Sequence, residues 1–204
     1  MMGLFPLRAV LSFLLAFLLL TACGGQEPVI LSGENIICFG DSLTFGTGAP
    51  RDRSYPAQLA EMVGQPVINA GIPGDTTAMA LQRLEQDVLS KSPRIVLITL
   101  GGNDMKNGVD KKDAFKNLKE IVETIQAKNA LVVIGGVKLL FWDRGYEAEY
   151  EKLADVTGAL LIPNVLKGLV GHNDLMSDTI HPNAAGYAIM AKKFYEAIEP
   201  YLHR

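Results

Sequence analysis

Residues 35–46 run Asn35-Ile36-Ile37-Cys38-Phe39-Gly40-Asp41-Ser42-Leu43-Thr44-Phe45-Gly46. The apolar first half has the length and continuity of a strand buried on both faces, and the Gly-Asp-Ser behind it sets a hydroxyl where the chain turns from strand towards helix. Runs of the same kind recur at 67–70, 95–100, 131–134 and 159–162. Between them the apolar residues change period. Leu81, Leu84 and Val88, then Phe115, Leu118, Val122 and Ile125, follow one another at spacings of three or four, which is one face of a helix. A final helix is predicted to start at Pro182, with Tyr187, Met190, Phe194 and Ile198 on one stripe. Strands separated by crossover helices predict a three-layer α/β/α sandwich around a mostly parallel sheet of about five strands. There is no internal repeat or second-domain linker, so residues 34–204 read as one domain.

The chain has 204 residues, 49% hydrophobic and 20% charged, a balance that excludes a disordered chain. Nineteen Lys+Arg against 22 Asp+Glu give a net charge of -3, with no basic stripe to neutralise a run of phosphates, so a nucleic-acid partner is not expected. The 12-residue apolar run 9–20, behind Arg8, is too short to span a bilayer and has the length of a secretory h-region. Leu20-Thr21-Ala22-Cys23 follows and resembles the lipobox of bacterial lipoproteins. That resemblance implies a lipoprotein signal peptide at 1–22, a lipidated Cys23 and a tether over 23–33. The mature protein is then expected on the periplasmic side of the cell envelope, anchored in a membrane by two or three acyl chains. Gly24 after the cysteine resembles lipoproteins released to the outer membrane rather than retained at the inner one. Cys38 is then the one remaining thiol, which rules out an intrachain disulfide framework and reads as a small buried hydrophobe.

In parallel α/β sheets ligands bind beyond the carboxyl ends of the strands, so the loops after the apolar runs are where chemistry is expected. Ser42 follows the first run. After the second comes Asn69-Ala70-Gly71-Ile72-Pro73-Gly74-Asp75-Thr76, and after the third Gly101-Gly102-Asn103-Asp104. Gly74, lacking a Cβ, could bring its backbone N–H close to a substrate oxygen, and Asn103 could aim an amide at the same point. With the Ser42 N–H these make three donors for an oxyanion. Equally, the glycines could serve turns alone and Asn103-Asp104 a helix cap. The last loop is Ser177-Asp178-Thr179-Ile180-His181-Pro182-Asn183. Pro182 biases His181 towards extended backbone, and Asp178 is near enough to accept from its Nδ1–H, which leaves Nε2 free as a base. Of the three histidines, His203 sits at the C-terminus and His172 has no comparable local fixing.

Gly-Asp-Ser-Leu at 40–43, Gly74, Gly-Gly-Asn-Asp at 101–104 and Asp-x-x-His-Pro at 178–182 together resemble the four blocks of the SGNH (GDSL-type) hydrolase family, in order. The resemblance implies a flavodoxin-like α/β/α fold and ester hydrolysis by an acyl-enzyme mechanism; no cofactor and no metal are expected. Matched position by position, it implies Ser42 as nucleophile, Gly74 and Asn103 as oxyanion-hole partners, and Asp178 with His181 completing a triad. Length and the Ile-Pro-Gly-Asp-Thr-Thr stretch are most similar to the bacterial arylesterase, acyl-thioesterase and lysophospholipase branch.

Other motifs fail. Thr44 stands where the Gly-x-Ser-x-Gly elbow needs its second glycine, Arg51 where a dinucleotide fingerprint starting at Gly46 needs its third, and no P-loop Gly-Lys-Ser/Thr is present. His172, Asp174, Asp178 and His181 are an alternative metal-ligand set. Leu140, Phe141 and Trp142, after the fourth run, are candidates for an acyl-binding wall, or they simply cover the sheet. The substrate expected is a small acyl ester. A carbohydrate O-acetyl esterase and a non-catalytic lipid-anchored binding protein are the alternatives.

Overall fold

The structure, a computed structural model, describes residues 31–138 and 145–202. The signal peptide, Cys23, most of the tether and the Leu140-Phe141-Trp142 wall lie outside the described residues. Five strands form one sheet: β1 (Asn35–Gly40), β2 (Val67–Gly71), β3 (Pro93–Thr99), β4 (Leu131–Gly135) and β5 (Leu160–Ile162). All neighbours are parallel, in the order β2-β1-β3-β4-β5. The helices are α1 (Ser42–Phe45), α2 (Tyr55–Val63), α3 (Thr77–Asp87), α4 (Gly102–Asn107), α5 (Lys111–Gln126), α6 (Tyr146–Thr157) and α7 (Ala184–Ile198). On the two sides of the sheet, α2 packs with α7, while α3, α5 and α6 form a contiguous row. The three-layer sandwich expected from the alternating periods is the fold observed.

Periodicity works where burial is deep. Phe115, Leu118, Val122 and Ile125 are all buried on α5, as are Tyr187, Met190, Phe194 and Ile198 on α7. It fails where position in the sheet or a cap decides. The runs at 67–70 and 159–162 are strands, but half-exposed along most of their length, because β2 and β5 are the sheet edges. Val88 ends the α3 stripe as its C-cap rather than as a helical residue, although it is buried. The last helix starts at Ala184, not Pro182. Asn183 is its N-cap, with Oδ1 accepting from the N–H of Ala185 (2.9 Å) and Gly186 (3.1 Å), and Pro182 pairs with Met176 in an isolated antiparallel bridge. An Asn cap satisfies two orphan N–H groups at once, which outweighs the preference of proline for a first helical position.

The strand order places the site. Leaving β1 the chain pairs next on one side, through β2, and then on the other, through β3, so a crevice opens at the carboxyl ends of β1 and β3. Helix α1 sits low in this crevice. A Cβ on Gly71 would run into the backbone nitrogen of Phe45, so only glycine at the end of β2 lets α1 lie so close. From beneath, Thr44 Oγ1 bonds Thr99 Oγ1 and the buried Tyr55 hydroxyl (3.0 Å), tying α1 to β3 and α2.

Candidate active site

Ser42 is the first residue of α1. Asp41 caps that helix, its Oδ1 accepting from Leu43 N–H at 2.9 Å, and Gly46 closes it in a left-handed conformation. This short turn fixes the direction of the serine side chain, whose Oγ lies 3.0 Å from Nε2 of His181, 139 residues away in sequence. The other ring nitrogen, Nδ1, lies 2.7 Å from Asp178 Oδ2. The loop carrying both residues is bound to itself. Asp178 Oδ1 accepts from the N–H of Ile180 and of His181, each at 2.7 Å, and Ser177 N–H donates to the His181 carbonyl at 2.8 Å. The Tyr187 hydroxyl on α7, the helix that follows this loop, donates to the Thr47 carbonyl at 2.8 Å and ties α7 to the segment after α1.

Burial would push the Asp178 carboxyl up, but hydrogen bonds from the His181 ring, the His181 N–H and the Ile180 N–H outweigh it, so the group sits below its ordinary value. It is therefore an anion at neutral pH, suited to hold the imidazole in the tautomer with its proton on Nδ1. Both ring nitrogens of His181 are thus engaged within the triad, whereas His172 and Asp174 lie exposed on the preceding loop. Among the described residues no group of three or more His, Cys, Asp or Glu is placed to hold a metal.

Gly74 has φ +88°, and a Cβ there would meet nothing within 4 Å. It is glycine for its backbone conformation and not for lack of room. Its N–H and that of Ser42 have no acceptor among the described residues. Asn103, the second residue of α4, is half-buried beside them, and both its N–H groups are spent on the protein. Nδ2 donates to the Asp75 carbonyl at 2.9 Å and to Asp41 Oδ2 at 3.2 Å. The helix-cap alternative for Asn103 does not hold, since Gly101 is the cap of α4.

Three carboxylates, Asp41, Asp75 and Asp104, are buried behind these donors, and sequence reasoning assigned none of them a part in the site. Asp104 accepts from Thr77 N–H (2.9 Å) and Thr77 Oγ1 (2.7 Å), which joins α4 to the start of α3. Asp75 pairs with Arg83 at 2.6 Å. Among the described residues Asp41 has no cation partner. Burial raises its carboxyl to about 7, against the opposing Leu43 N–H, and repulsion from Asp75 and Asp104 adds to the rise. In the unfolded chain it would ionise near 3.8, so folding is unpenalised below that pH, and stability is lost as pH climbs through about 7. The full span corresponds to about 4 kcal/mol. Urea unfolding across this range is expected to show wild type losing stability relative to Asp41→Asn as pH rises; parallel profiles would place the Asp41 pKa elsewhere.

A parallel sheet in this order, with a serine–imidazole–carboxylate chain at the carboxyl ends of its strands, defines the flavodoxin-like hydrolases. The sequence profile of the GDSL-like Lipase/Acylhydrolase family matches residues 38–189, and the chain belongs to that family. It is 32% identical to an arylesterase of Vibrio mimicus, over 74% of this chain and 81% of that protein. It is 29% identical to Esterase TesA of Pseudomonas aeruginosa, over 95% and 98%. The crystal structure of TesA superposes with a TM-score of 0.77 at 27% identity, covering 82% of this chain and 99% of the other.

Proposed function

We propose that the protein is a serine esterase that hydrolyses carboxylic acyl esters through an acyl-enzyme on Ser42. The observation that carries this is the unbroken chain from Ser42 Oγ to His181 Nε2 (3.0 Å) and from His181 Nδ1 to Asp178 Oδ2 (2.7 Å). His181 Nε2 takes the Ser42 proton as Oγ attacks the ester carbonyl. The tetrahedral oxyanion rests on the N–H groups of Ser42 and Gly74 and on the Asn103 amide. Collapse expels the alcohol, protonated by His181; His181 then takes a proton from water as the water oxygen attacks the acyl carbon, and breaking of the acyl–Oγ bond releases the acid while His181 returns the proton to Ser42 Oγ. Asp178 stays an anion throughout and stabilises the imidazolium.

The similarity to an arylesterase and to Esterase TesA favours acyl esters, aryl esters among them, and similarity to a thioesterase/lysophospholipase makes thioesters and lysophospholipids further candidate acyl donors. We read residues 1–22 as a lipoprotein signal and Cys23 as acylated, which would set the enzyme on the periplasmic face of a membrane, close to acyl lipids. Support for that reading is the sequence of the first 25 residues.

A fluorophosphonate probe offered to the purified chain tests the central claim. Labelling of wild type and none of Ser42→Ala is the expected result. Wild type that resists the probe and cleaves no member of a panel of aryl esters, thioesters, lysophospholipids and acetylated sugars would favour a binding protein instead.

A further inference from the structure

Arg83, midway along α3, is 13% exposed in its side chain and makes four hydrogen bonds. Nε donates to Asp75 Oδ2 at 2.6 Å, Nη1 to the Ala70 carbonyl at 3.0 Å and Asp87 Oδ2 at 2.9 Å, and Nη2 to the Gly40 carbonyl at 3.0 Å. Its guanidinium carbon lies over the Phe39 ring, 4.4 Å from the centroid. One cation thus grips the carboxyl ends of β1 and β2 together with the loop between β2 and α3.

Each candidate oxyanion donor hangs on something Arg83 holds. Gly40 lies two residues before Ser42. Asp75 follows Gly74 directly, and the Asp75 carbonyl is the shorter of the two acceptors for Asn103 Nδ2. Three donors arriving from three loops can stabilise one oxygen only if their spacing is set beforehand. Ion pairing alone does not account for the contacts, because two of the four acceptors are neutral carbonyls. Lysine would retain the charge but not the planar fork that reaches Asp75, Ala70 and Gly40 at once.

We propose that Arg83 is a positioning residue for the oxyanion hole, locking the β1 end and the Gly74-Asp75 turn at the spacing that Ser42, Gly74 and Asn103 require. This rests on the esterase reading above. The residue touches no reacting atom and acts through Gly40 and Asp75.

The test is a double-mutant cycle between Arg83→Lys and Asn103→Ala, with kcat and KM measured on an activated aryl ester and folding checked by urea unfolding. Arg83→Lys is expected to lower kcat roughly 10- to 100-fold while KM moves less than about three-fold, since ground-state binding does not use the hole. In the Asn103→Ala background the same change should lower kcat only a few-fold, because the donor that the Asp75 carbonyl holds is already gone and the three-donor spacing no longer exists to be lost. Should Arg83→Lys fail to fold, Asp75→Asn takes its place in the cycle, with the same non-additivity expected. An Arg83 or Asp75 variant that is folded and keeps wild-type kcat, or loses as much with Asn103 as without it, overturns the proposal. Wild type that neither cleaves the ester nor reacts with a fluorophosphonate overturns the esterase reading itself; an active, labelled wild type with an indifferent Arg83 overturns only the positioning role.

Discussion

Ser42→Ala is expected to lower kcat on an activated ester by about 10⁵- to 10⁶-fold, His181→Ala to do much the same, and the double variant to be no worse than either single. The reason is that the two side chains act as one unit. Without the imidazole the Ser42 hydroxyl has no acceptor for its proton, and without the hydroxyl the imidazole has no nucleophile to activate. What remains in each variant is binding and the oxyanion donors. Neither variant should unfold the protein: both side chains are only partly buried, and the loop of His181 is held by its own backbone bonds and by the Met176–Pro182 bridge. Stopped assays with product detection over long incubations can reach the required range. A double variant that falls by the product of the two single effects would show that Ser42 and His181 contribute separately, and the triad would have to be abandoned.

The Ser42–His181–Asp178 geometry was legible in the sequence because its parts are local signals joined by a predictable fold. A serine directly after a continuous apolar run must lie at a strand end, and Pro182 marks the chain around His181 as extended. Two such ends meet once the sheet is parallel. The Asp178–His181 contact needs only a three-residue turn, and Ser42 is brought to it by strand order rather than by any residue near it. Other features were not legible for equally physical reasons. Arg83 carries no signal in the sequence, because nothing in the spacing of its helix says that the guanidinium turns inward to Gly40 and Ala70. Asp41 reads as a turn residue in Gly-Asp-Ser; that it is buried depends on α4, whose Gly102 lies against its carboxyl and whose Asn103 amide donates to it. The start of α7 was misplaced because proline at 182 and asparagine at 183 both announce a helix, and only the contacts of the Asn183 side chain decide between them.

Asn103→Ala is the second large effect expected, a fall in kcat of about 100-fold with KM little altered. Removing one oxyanion donor typically costs about 2.7–4 kcal/mol in the transition state, which spans roughly 100- to 1,000-fold. The structure argues for the lower end. Large values belong to donors already aimed at the oxyanion and bound to nothing else, whereas the Asn103 amide rests on Asp75 and Asp41. To serve the oxyanion it must exchange one of these bonds, and the longer one, to Asp41 Oδ2 at 3.2 Å, is the one to give way. That carboxyl is raised to about 7, so near neutrality much of it is uncharged and a weaker acceptor, which keeps the exchange inexpensive. The Asp75 carbonyl meanwhile holds the amide at the hole. Truncation also strips a partner from both acceptors, so a loss of about 1–3 kcal/mol in stability should accompany the kinetic effect and be read separately by urea unfolding. Unchanged kcat in a folded Asn103→Ala protein would mean that the amide never leaves Asp41, and that the oxyanion is held by the Ser42 and Gly74 N–H groups alone.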